Sequence, residues 1–382
     1  MTARANNGVD RHTLSQDTRI RSYLPGDEQD IANLLLNAFS GWPDIDVVGT
    51  ALDYWRWKYS DAPVRAPIIS VCESRDGIVG CDHSISLRVK VGKKVRLCDY
   101  SCDTVVHADY RGKGLSKVMI EHSNDLRKSH GFHLVFWVTR NPIFIEAYSK
   151  IRPSFPYQIR NLVHIQDVGL HLKYMPMEKA WFMRLGFHLA KGVNSIRNAF
   201  RRYSTIDGYI ITRSNGFDER INDFWDELSG YYDFIVERRL EYLNWKYCDK
   251  RGGKYQFLFA ENGDRILGYC VLCVNRRRIE YPVGYIADLL VIPERFDVAF
   301  ALARNALAYF RAQGVNIVNC LAIHGNQLEG VLHKAGFLYS RVRLNFFYNT
   351  MGDPDFLSQV LADRVHFSFG DIDSLPSGYA RI

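Results

Sequence analysis

The sequence predicts an α/β protein made of two similar halves, each a twisted, mixed and mostly antiparallel sheet flanked by helices. Three observations carry this prediction: alternating strand and helix patterns, an internal repeat, and a glycine-rich turn between a strand and a helix. The chain has 382 residues, of which 47% are hydrophobic. That length and composition suit two or three domains with large cores.

The first half alternates strands and helices. Acidic residues in a first turn, followed by apolar residues at helical spacing, predict a helix over Asp27 to Phe39. The Asp76-Gly77 pair predicts a hairpin turn. An aromatic segment, Tyr54 to Tyr59, lies between these elements. The other predicted elements are strands over Ile20 to Leu24, Ile68 to Glu73, Ile78 to Val91, Leu97 to Val106, Phe132 to Val138 and Tyr157 to Gln166, and helices from Leu115 and over Asn141 to Lys150.

The second half repeats the first. Leu243 to Tyr247 correspond to Trp55 to Tyr59, and Gly268 corresponds to Gly80, both at an offset of 188 residues. Because two separate correspondences share one offset, we interpret the chain as a tandem duplication. The second half predicts strands over Tyr209 to Arg213, Tyr285 to Ile292 and Val315 to Ala322, helices over Asp218 to Leu228, Val298 to Ala312 and Asn326 to Phe337, and a hairpin before Tyr285.

A basic, glycine-rich turn links a predicted strand of the first half to the helix that follows. Such a turn directs several unpaired backbone N–H groups at one point, where the helix dipole also favours negative charge. Gly112 and Gly114 allow positive φ and close approach to the backbone. Arg111 and Lys113 add positive side chains. The sequence therefore predicts a binding site for a pyrophosphate group.

This turn resembles the acetyl-CoA signature of the GNAT acyltransferase superfamily, Arg/Gln-x-x-Gly-x-Gly/Ala, at Arg111, Gly114 and Ser116. Ser116 departs from the last position of the signature but is small. The order of predicted elements is also similar to that of the superfamily. The resemblance implies two GNAT-like domains in tandem, with acetyl-CoA as cosubstrate. The cofactor-binding residues that it implies are Val105, Val106, Arg111, Gly112, Lys113, Gly114, Leu115, Ser116 and Asn141.

The resemblance also implies direct transfer of acetyl from the thioester to an amine. A backbone N–H near Val106 would polarise the thioester carbonyl, and Asn141 would bond the pantetheine arm or its surroundings. Tyr148 would protonate the departing CoA thiolate, since a phenol of pKa about 10 can protonate a thiol-like group of pKa about 8.5 on contact. The alternative interpretation of Tyr148 is a core aromatic residue.

A base must take a proton from the amine. Asp99 and Asp103 lie four residues apart on one predicted strand, which would place both on the same face of the sheet. We favour Asp103 as this catalytic base. A structural aspartate that bonds a loop is an equally good interpretation of the sequence.

The second copy lacks the turn. Where the first has Tyr110 to Gly114, the second has Arg295 to Ala299, without glycine and with a phenylalanine and an aspartate where a phosphate would approach. A carboxylate there opposes an anion, so we expect acetyl-CoA to bind only in the first copy. The predicted domains are residues 19–167 with the acetyl-CoA motif and 208–350 without it, beside a disordered tail (1–18), a connector (168–207) and a solvated C-terminal tail (351–382).

The connector carries most of the net positive charge. Residues 168–203 hold seven Lys or Arg and one acid, against a formal net charge of +7 for the chain. Apolar residues at helical spacing predict an amphipathic helix, which either packs on the domains or contacts anionic lipid or an acidic acceptor through residues 173–202. Because the charge is confined to this segment and no nucleic-acid motif accompanies it, we expect no nucleic-acid partner.

Cysteine and histidine spacing predicts no metal site. Cys270 and Cys273 have CxxC spacing within one predicted strand, where residues three apart point to opposite faces. We expect the eight cysteines to be mostly buried, reduced thiols. No apolar run approaches the ~20 residues of a spanning helix, and the N-terminus lacks a signal-peptide core, so we expect a cytoplasmic protein.

The expected acceptor is a small-molecule amine or an amino sugar, because the double domain and basic connector are similar to GNAT proteins associated with bacterial surface polysaccharide. The aromatic segment could line a sugar pocket or pack in the interior. Two other functions are a Fem-like aminoacyl or peptidyl transferase that uses aminoacyl-tRNA, and a non-catalytic GNAT-fold binding protein. The pyrophosphate turn argues against the first, and intact Arg111, Gly114 and Tyr148 argue against the second.

Overall fold

The computed structural model describes residues 17–39, 41–174, 208–277, 280–353, 356–357 and 360–373. In this part of the chain, thirteen strands form one continuous sheet with helices packed on it. The connector beyond residue 174, with its predicted amphipathic helix, lies outside the described residues. Within the described ranges, every helix is too short or too polar to serve as a membrane span.

The first half contains the predicted elements in the predicted order. Its aromatic segment forms a short α-helix that continues into a π-helical turn, Arg56–Ser60. The elements are β1 (Thr18–Ser22), α1 (Glu28–Ala38), α2 (Ala51–Trp55), β2 (Ile69–Ser74), β3 (Gly77–Val91), β4 (Lys94–Val106), α3 (Leu115–Ser129), β5 (Leu134–Thr139), α4 (Pro142–Ser149), β6 (Ile159–Ile165) and α5 (Val168–Lys173).

The second half repeats this order, which confirms the predicted duplication. A second π-helical turn, Asn244–Cys248, stands at the repeated aromatic segment. The elements are β7 (Ile210–Ser214), α6 (Arg220–Ser229), β8 (Phe234–Val236), α7 (Leu240–Leu243), β9 (Tyr255–Asn262), β10 (Arg265–Asn275), β11 (Val283–Val291), α8 (Phe296–Ala312), β12 (Ile317–Ile323), α9 (Gln327–Lys334) and β13 (Leu338–Asn349).

The two halves exchange their last strands. The sheet order is β1-β2-β3-β4-β5-β13-β6-β12-β11-β10-β9-β7, with β8 added beside β3. We expected β6 to complete the first domain, but β6 pairs with β12 of the second half, and β13 of the second half pairs with β5. Because β13 lies against the edge of β5, the two domains share one sheet.

A local two-fold axis relates the halves at Trp57 and Trp245. Each indole Nε1 donates a hydrogen bond to the backbone carbonyl of the other tryptophan, at 2.8 Å in both directions. The rings stack with centroids 5.3 Å apart. Trp55, Trp57 and Tyr59 are all buried, so the aromatic segment packs in the interior between the halves.

Residues 360–373, the described part of the C-terminal segment, are not the solvated tail that we expected over 351–382. Val365, Phe367, Phe369 and Ile372 are buried in the core, and the Asp371 side chain is buried with them. Alternating apolar residues let this segment fill the space between the halves, where hydrophobic burial stabilises it. The segment therefore places the Asp371 carboxylate in the protein interior and leaves the Asp373 carboxylate partly exposed.

Candidate active site

Strands β4 and β5 separate towards their C-terminal ends. Their parallel ladder covers only residues 98–100 of β4 and 134–136 of β5, although β4 continues to Val106 and β5 to Thr139. The edge of β4 around Val105 and Val106 is therefore free of β5. Unpaired backbone groups along such a wedge can bond a ligand instead of a strand.

The glycine-rich turn follows directly from this wedge. Gly112 and Gly114 have φ of +78° and +75°, and a Cβ on either would meet no atom within 4 Å. Helix α3 begins at the buried Leu115, while Ser116 is exposed. The hydrogen bonds of the described residues leave the N–H groups of residues 112–116 without a protein acceptor. The turn thus presents free amides to solvent at the positive end of a helix dipole.

Two contacts fix the basic side chains beside the turn. Arg111 Nε donates to the Val106 carbonyl at 3.0 Å, which ties the turn to the end of β4. The Lys113 ammonium lies 4.8 Å from the centre of the Tyr110 ring, and the Tyr110 hydroxyl donates to Asp76 at 2.6 Å. Arg111 and Lys113 are both exposed, so their charges are available to an anion at the turn.

Tyr148 lies on α4 next to the wedge. Its half-buried ring packs on Trp137 of β5, at 4.9 Å between centroids, and on Phe347 of the exchanged strand β13, at 5.9 Å. Burial and the negative charge of Asp82 raise the pKa of Tyr148 above its ordinary value. The phenol therefore keeps its proton at neutral pH. Asn141, just before α4, is exposed.

A β-bulge in β4 changes the direction of the Asp103 side chain. In the β3–β4 ladder, Cys81 faces Val105 but His83 faces Cys102, so β4 carries one extra residue here. Asp103 takes up the extra residue with φ of +47°, a strained value for an aspartate. The bulge alters the alternation of side chains along the strand.

Asp99 and Asp103 consequently have separate surroundings, and the expectation that they share a face is wrong. Asp99 accepts from Arg127 of α3 at 2.7 Å and from Ser84 at 2.6 Å. Asp103 contacts the π-helical turn instead, on the side of α2. Side chains alternate between the two faces of a sheet only while the strand pairing is regular, and a bulge interrupts this alternation.

One oxygen of the Asp103 carboxylate accepts three hydrogen bonds. Its Oδ2 accepts from Lys58 Nζ at 2.7 Å, Tyr59 Oη at 2.7 Å and Trp42 Nε1 at 3.1 Å. Burial disfavours its charge, yet the ammonium of Lys58 and the hydroxyl of Tyr59 outweigh burial and lower the pKa of Asp103. A carboxylate held in this way is a weak proton acceptor and is better suited to fixing the bulge.

Lys58 joins Asp103 to the C-terminal segment. Its ammonium also donates to Asp373 Oδ2 at 3.0 Å, and Tyr100 donates to Asp373 Oδ1 at 3.2 Å. Burial opposes the charge of Lys58, but the two carboxylates raise its pKa well above the ordinary value. Cys102 Sγ and oxygens of Asp103 and Asp373 lie within 4.8 Å of one another, a spacing that could suit a metal ion; the Lys58 ammonium supplies the positive charge here.

The second half contains a counterpart of this cluster. Asp288 corresponds to Asp103, because each lies three residues before the valine that faces the repeated glycine of the neighbouring strand. The Asp288 carboxylate accepts from Arg238 at 2.8 Å, Tyr269 at 2.9 Å and His366 at 3.0 Å. Burial opposes ionisation, but Arg238 and His366 hold the pKa of Asp288 well below its usual range.

Among the described residues of the second half, no glycine-rich turn stands before α8. Arg295 forms two hydrogen bonds of 2.9 Å with Asp297, which lies in the first turn of α8. Burial works against the charge of Asp297, yet Arg295 and the first amides of α8 lower its pKa below the ordinary value. A carboxylate of the chain itself therefore occupies the helix N-terminus where the first half offers free amides.

The sequence did not identify Lys58 as a site residue, and it indicated Asp373 only as an acid that could reach an acceptor or lie in a solvated tail. The available signal for Lys58 was the repeated Trp-Lys-Tyr triplet, in which a lysine stands within an aromatic run. The signal for Asp373 was the acidic stretch from His366 to Asp373, but the pairing of Asp373 with Lys58 could not be predicted from it.

Two family models match the chain. One, described as an acetyltransferase (GNAT) domain, matches residues 19–149, and another, described as the acetyltransferase (GNAT) family, matches residues 221–337. Each match falls in one of the two repeated halves. No curated protein sequence matches the chain.

Several solved structures share the fold over both halves. A protein from Enterococcus faecalis, titled a probable N-acyltransferase, superposes with a TM-score of 0.58 at 10% identity, covering 87% of this chain and 73% of that one. N-myristoyltransferase of Saccharomyces cerevisiae with bound myristoyl-CoA gives 0.58 at 12% identity, covering 95% and 86%. A GCN5-related N-acetyltransferase from Anabaena variabilis gives 0.58 at 11%, covering 88% and 73%. At such identities the likeness is one of fold.

Proposed function

We propose that this chain, which belongs to the GNAT acyltransferase superfamily and has one GNAT domain in each half, transfers acetyl from acetyl-CoA to an amine. The observation that carries the proposal is the set of free amides at residues 112–116 beside the open wedge of β4 and β5. Only the first half combines these two features among the described residues. The acceptor is a small-molecule amine or an amino sugar.

The turn binds the pyrophosphate of the cosubstrate in this proposal. Free N–H groups at a helix N-terminus bind phosphate without further cations, and nearby cations add affinity. The backbone of Val105 and Val106 then lies where the thioester carbonyl can accept a hydrogen bond, which stabilises the negative charge of the tetrahedral intermediate. The residues assigned to acetyl-CoA are Val105, Val106, Arg111, Gly112, Lys113, Gly114, Leu115, Ser116 and Asn141.

Tyr148 is the proposed general acid. The neutral amine nitrogen attacks the thioester carbon and releases a proton to water, the C–S bond breaks, and the sulfur keeps the electron pair as a thiolate that must gain a proton. A half-buried phenol with a raised pKa holds its proton until a thiolate forms beside it. The ion pair with Lys58 weakens Asp103 as a base, so we assign Asp103 to holding the bulge next to Val105.

The second half supports the site in this proposal and binds no cosubstrate. Strand β13 pairs with β5 along residues 135–139, and Phe347 packs on Tyr148. The position of the acid therefore depends on the second half.

Calorimetric titration with acetyl-CoA tests the proposal. We expect micromolar binding to the wild type and at least tenfold weaker binding to Gly114→Ala, because a Cβ at φ of +75° strains the turn and stands where the phosphate approaches. Gly131→Ala is a matched control: Gly131 lies at the other end of α3, also with φ of +75° and no atom within 4 Å of a Cβ.

Equal weakening in both variants, or no binding by a folded wild type, would contradict the proposal. Myristoyl-CoA is titrated in parallel, because a structural neighbour holds that ligand. Mass spectrometry of glucosamine, lysine and spermidine incubated with protein and acetyl-CoA then tests the acceptor class through a gain of about 42 Da, roughly three heavy atoms added to the nucleophile.

A further inference from the structure

A cavity of about 340 Å³ lies between the two halves of the protein. The first half contributes Pro63, Val64 and Arg88 to its wall, and the second half contributes residues of α6, of α7 and of the segment before α7. Sites for small molecules have volumes of about 300–1,000 Å³. The cavity is therefore large enough for a small organic ligand that contacts both halves.

This cavity is separate from the wedge of β4 and β5. Strand β3 passes both places: Arg88 lines the cavity, and Cys81 faces Val105 at the wedge. The two β3 residues are seven positions apart, which corresponds to about 23 Å at about 3.3 Å per residue. A ligand of the cavity would therefore not contact a thioester bound at Val105.

Glu237 places a nearly buried carboxylate in the cavity wall. Only 9% of the residue is exposed. Its Oε2 lies 3.5 Å from Arg88 Nη1 and its Oε1 lies 4.0 Å from Arg239 Nε, whereas charge-assisted hydrogen bonds are ordinarily about 2.7–2.9 Å long. Arg239 bonds Asp226 at 2.6 Å instead. The Glu237 carboxylate thus has capacity for a closer donor, which would stabilise a charge that is largely removed from water.

The charges around the cavity favour a cationic ligand. Three glutamates and two arginines line it, and the glutamates are Glu219, Glu237 and Glu241. One of the arginines, Arg239, is paired with Asp226, an acid outside the lining. Arg88 therefore stands against three carboxylates. A cleft with an excess of one sign of charge attracts ligands of the opposite sign.

Apolar groups line much of the remaining wall. Pro63 and Val64 come from the first half, and Leu240 and Tyr242 come from the second. Burial of methylene groups against such surface is favourable, whereas an inorganic cation would gain nothing from it. The combination of carboxylates and apolar side chains suits ammonium groups joined by a methylene chain.

The duplication provides this carboxylate on one side of the local two-fold axis. The offset of 188 residues that relates Trp57 to Trp245 places Gly49 at the position of Glu237. The corresponding place on the other side therefore has no side chain at this position. An acid that one copy carries and the other replaces by glycine is not required by the fold.

We propose that this cavity binds an aliphatic diamine, with one ammonium on Glu237 and the other on the exposed glutamates at the rim, Glu219 and Glu241. The inference goes beyond the proposed function and does not depend on it, because the cavity and the wedge are separate. A diamine held here contacts both halves. It stabilises the folded chain, since it binds the folded state and not the unfolded one.

Calorimetric titration of the full chain with 1,5-diaminopentane tests the proposal. We expect a dissociation constant below about 1 mM. We expect about tenfold weaker binding of 1-aminopentane, which has the same methylene chain but a single ammonium to pair with a carboxylate. The diamine should also raise the temperature of thermal unfolding.

Two substitutions in the wall should change the affinity in opposite directions. Glu237→Gln should weaken binding of the diamine about tenfold, because it removes the charge that holds one ammonium. Arg88→Met should strengthen binding about threefold, because it removes the cation that competes for Glu237. Glu227→Gln is a matched control: Glu227 lies on α6, pairs with Arg265 and does not line the cavity.

The opposite signs make the test decisive. Equal binding of the diamine by wild type, Glu237→Gln and Arg88→Met would place it elsewhere, such as the acceptor site, and overturn the proposal. Weaker binding by Arg88→Met would indicate a ligand with an anionic group, and equal affinity for both amines would exclude a diamine site. A folded wild type that binds no diamine also overturns it.

Two further measurements separate these results from folding and from acetyl transfer. Thermal unfolding without ligand shows whether each variant is folded, and Glu241→Gln, which changes an exposed side chain, should weaken binding about threefold if Glu237→Gln does not fold. Binding of acetyl-CoA should be the same in every variant. Failure of the diamine site therefore leaves the proposed function standing, and the reverse also holds.

Discussion

At the scale of single residues, the left-handed backbone at Asp103 determines the chemistry of two carboxylates. Asp99 faces Arg127 under α3, whereas Asp103 faces Lys58 between the halves. A spacing of four residues predicted one shared face. The bulge that separates them depends on pairing with β3, which no local pattern in β4 encodes. The conformation of the glycine-rich turn was predictable, because each glycine there acts on its own backbone.

Asp103→Asn distinguishes an anchor from a base. Removing one carboxylate from the buried Lys58 ammonium should lower the free energy of unfolding by about 3 kcal/mol, while kcat of the folded protein changes less than about tenfold. Urea unfolding and steady-state kinetics measure the two effects. Asp288→Asn removes the corresponding carboxylate of the second half and should cost similar stability. A loss of 100-fold or more in kcat in Asp103→Asn alone, with stability retained, would restore Asp103 as the base.

His83 should make the protein sensitive to mild acid. Its Nε2 accepts from Trp55 and its Nδ1 donates to the Asp103 carbonyl, and burial lowers its pKa to about 4. The folded ring stays neutral while the unfolded ring, with a pKa of about 6.5, binds a proton. Stability is therefore complete above about pH 6.5 and falls towards pH 4, by about 1.4 kcal/mol per pH unit for this one proton.

Unfolding by urea between pH 7 and 4 measures this slope. His83→Gln keeps a polar side chain of similar size that cannot titrate. The free energy of unfolding of this variant should therefore fall less steeply with acid, by the contribution of the one proton that the histidine binds. An unchanged slope in this variant would assign the acid sensitivity to other groups.

At the scale of elements, helices α3 and α8 occupy corresponding positions in the two halves but differ in the groups at their N-termini. Helix α3 begins at Leu115, after the N-cap Gly114, and its first amides are free, whereas the first turn of α8 holds Asp297, which Arg295 bonds. The sequence predicted this difference correctly, since a carboxylate at a helix N-terminus replaces an external anion. The second helix is thus stabilised by its own side chain.

Asp297→Asn should lower stability by about 1 kcal/mol, because it removes a charge from the N-terminal turn of α8 and from Arg295. Urea unfolding measures the change. Binding of acetyl-CoA should be unaffected, and weakened binding would place part of the cosubstrate site in the second half.

Strand order was predictable and strand partners were not. Apolar runs located β6 to within a few residues, because such patterns depend on local sequence, but no strand was predicted where β13 lies. Which edge each strand joins depends on competition between β5 and β12, two parallel-sheet edges with similar apolar character. The sequence therefore indicated two separate sheets where the protein has one.

At the scale of the whole molecule, the exchanged strands make each half depend on the other. Without β13, the first half would expose the β5 edge, and without β6 the second half would expose β12. The reciprocal bonds of Trp57 and Trp245 would be lost as well. We therefore expect the halves to fold as one unit despite their internal symmetry.

Separate production of residues 1–174 and 208–382 tests this dependence. We expect each fragment alone to aggregate or to lack a cooperative thermal transition, and co-production to give a soluble complex of the two. Size-exclusion chromatography and circular dichroism measure both. A soluble, cooperatively folded first fragment would show that β13 is dispensable.

Strand exchange also affects how the protein is made. The ends of β5 and β13 are separated by 210 residues, so at about 5–20 residues per second a ribosome would need roughly 10–40 s to deliver the partner of β5. For that time the nascent chain carries an uncovered apolar edge, which invites pairing with other chains. We expect chaperone depletion during translation to reduce the soluble yield more than the stability of the finished protein would suggest.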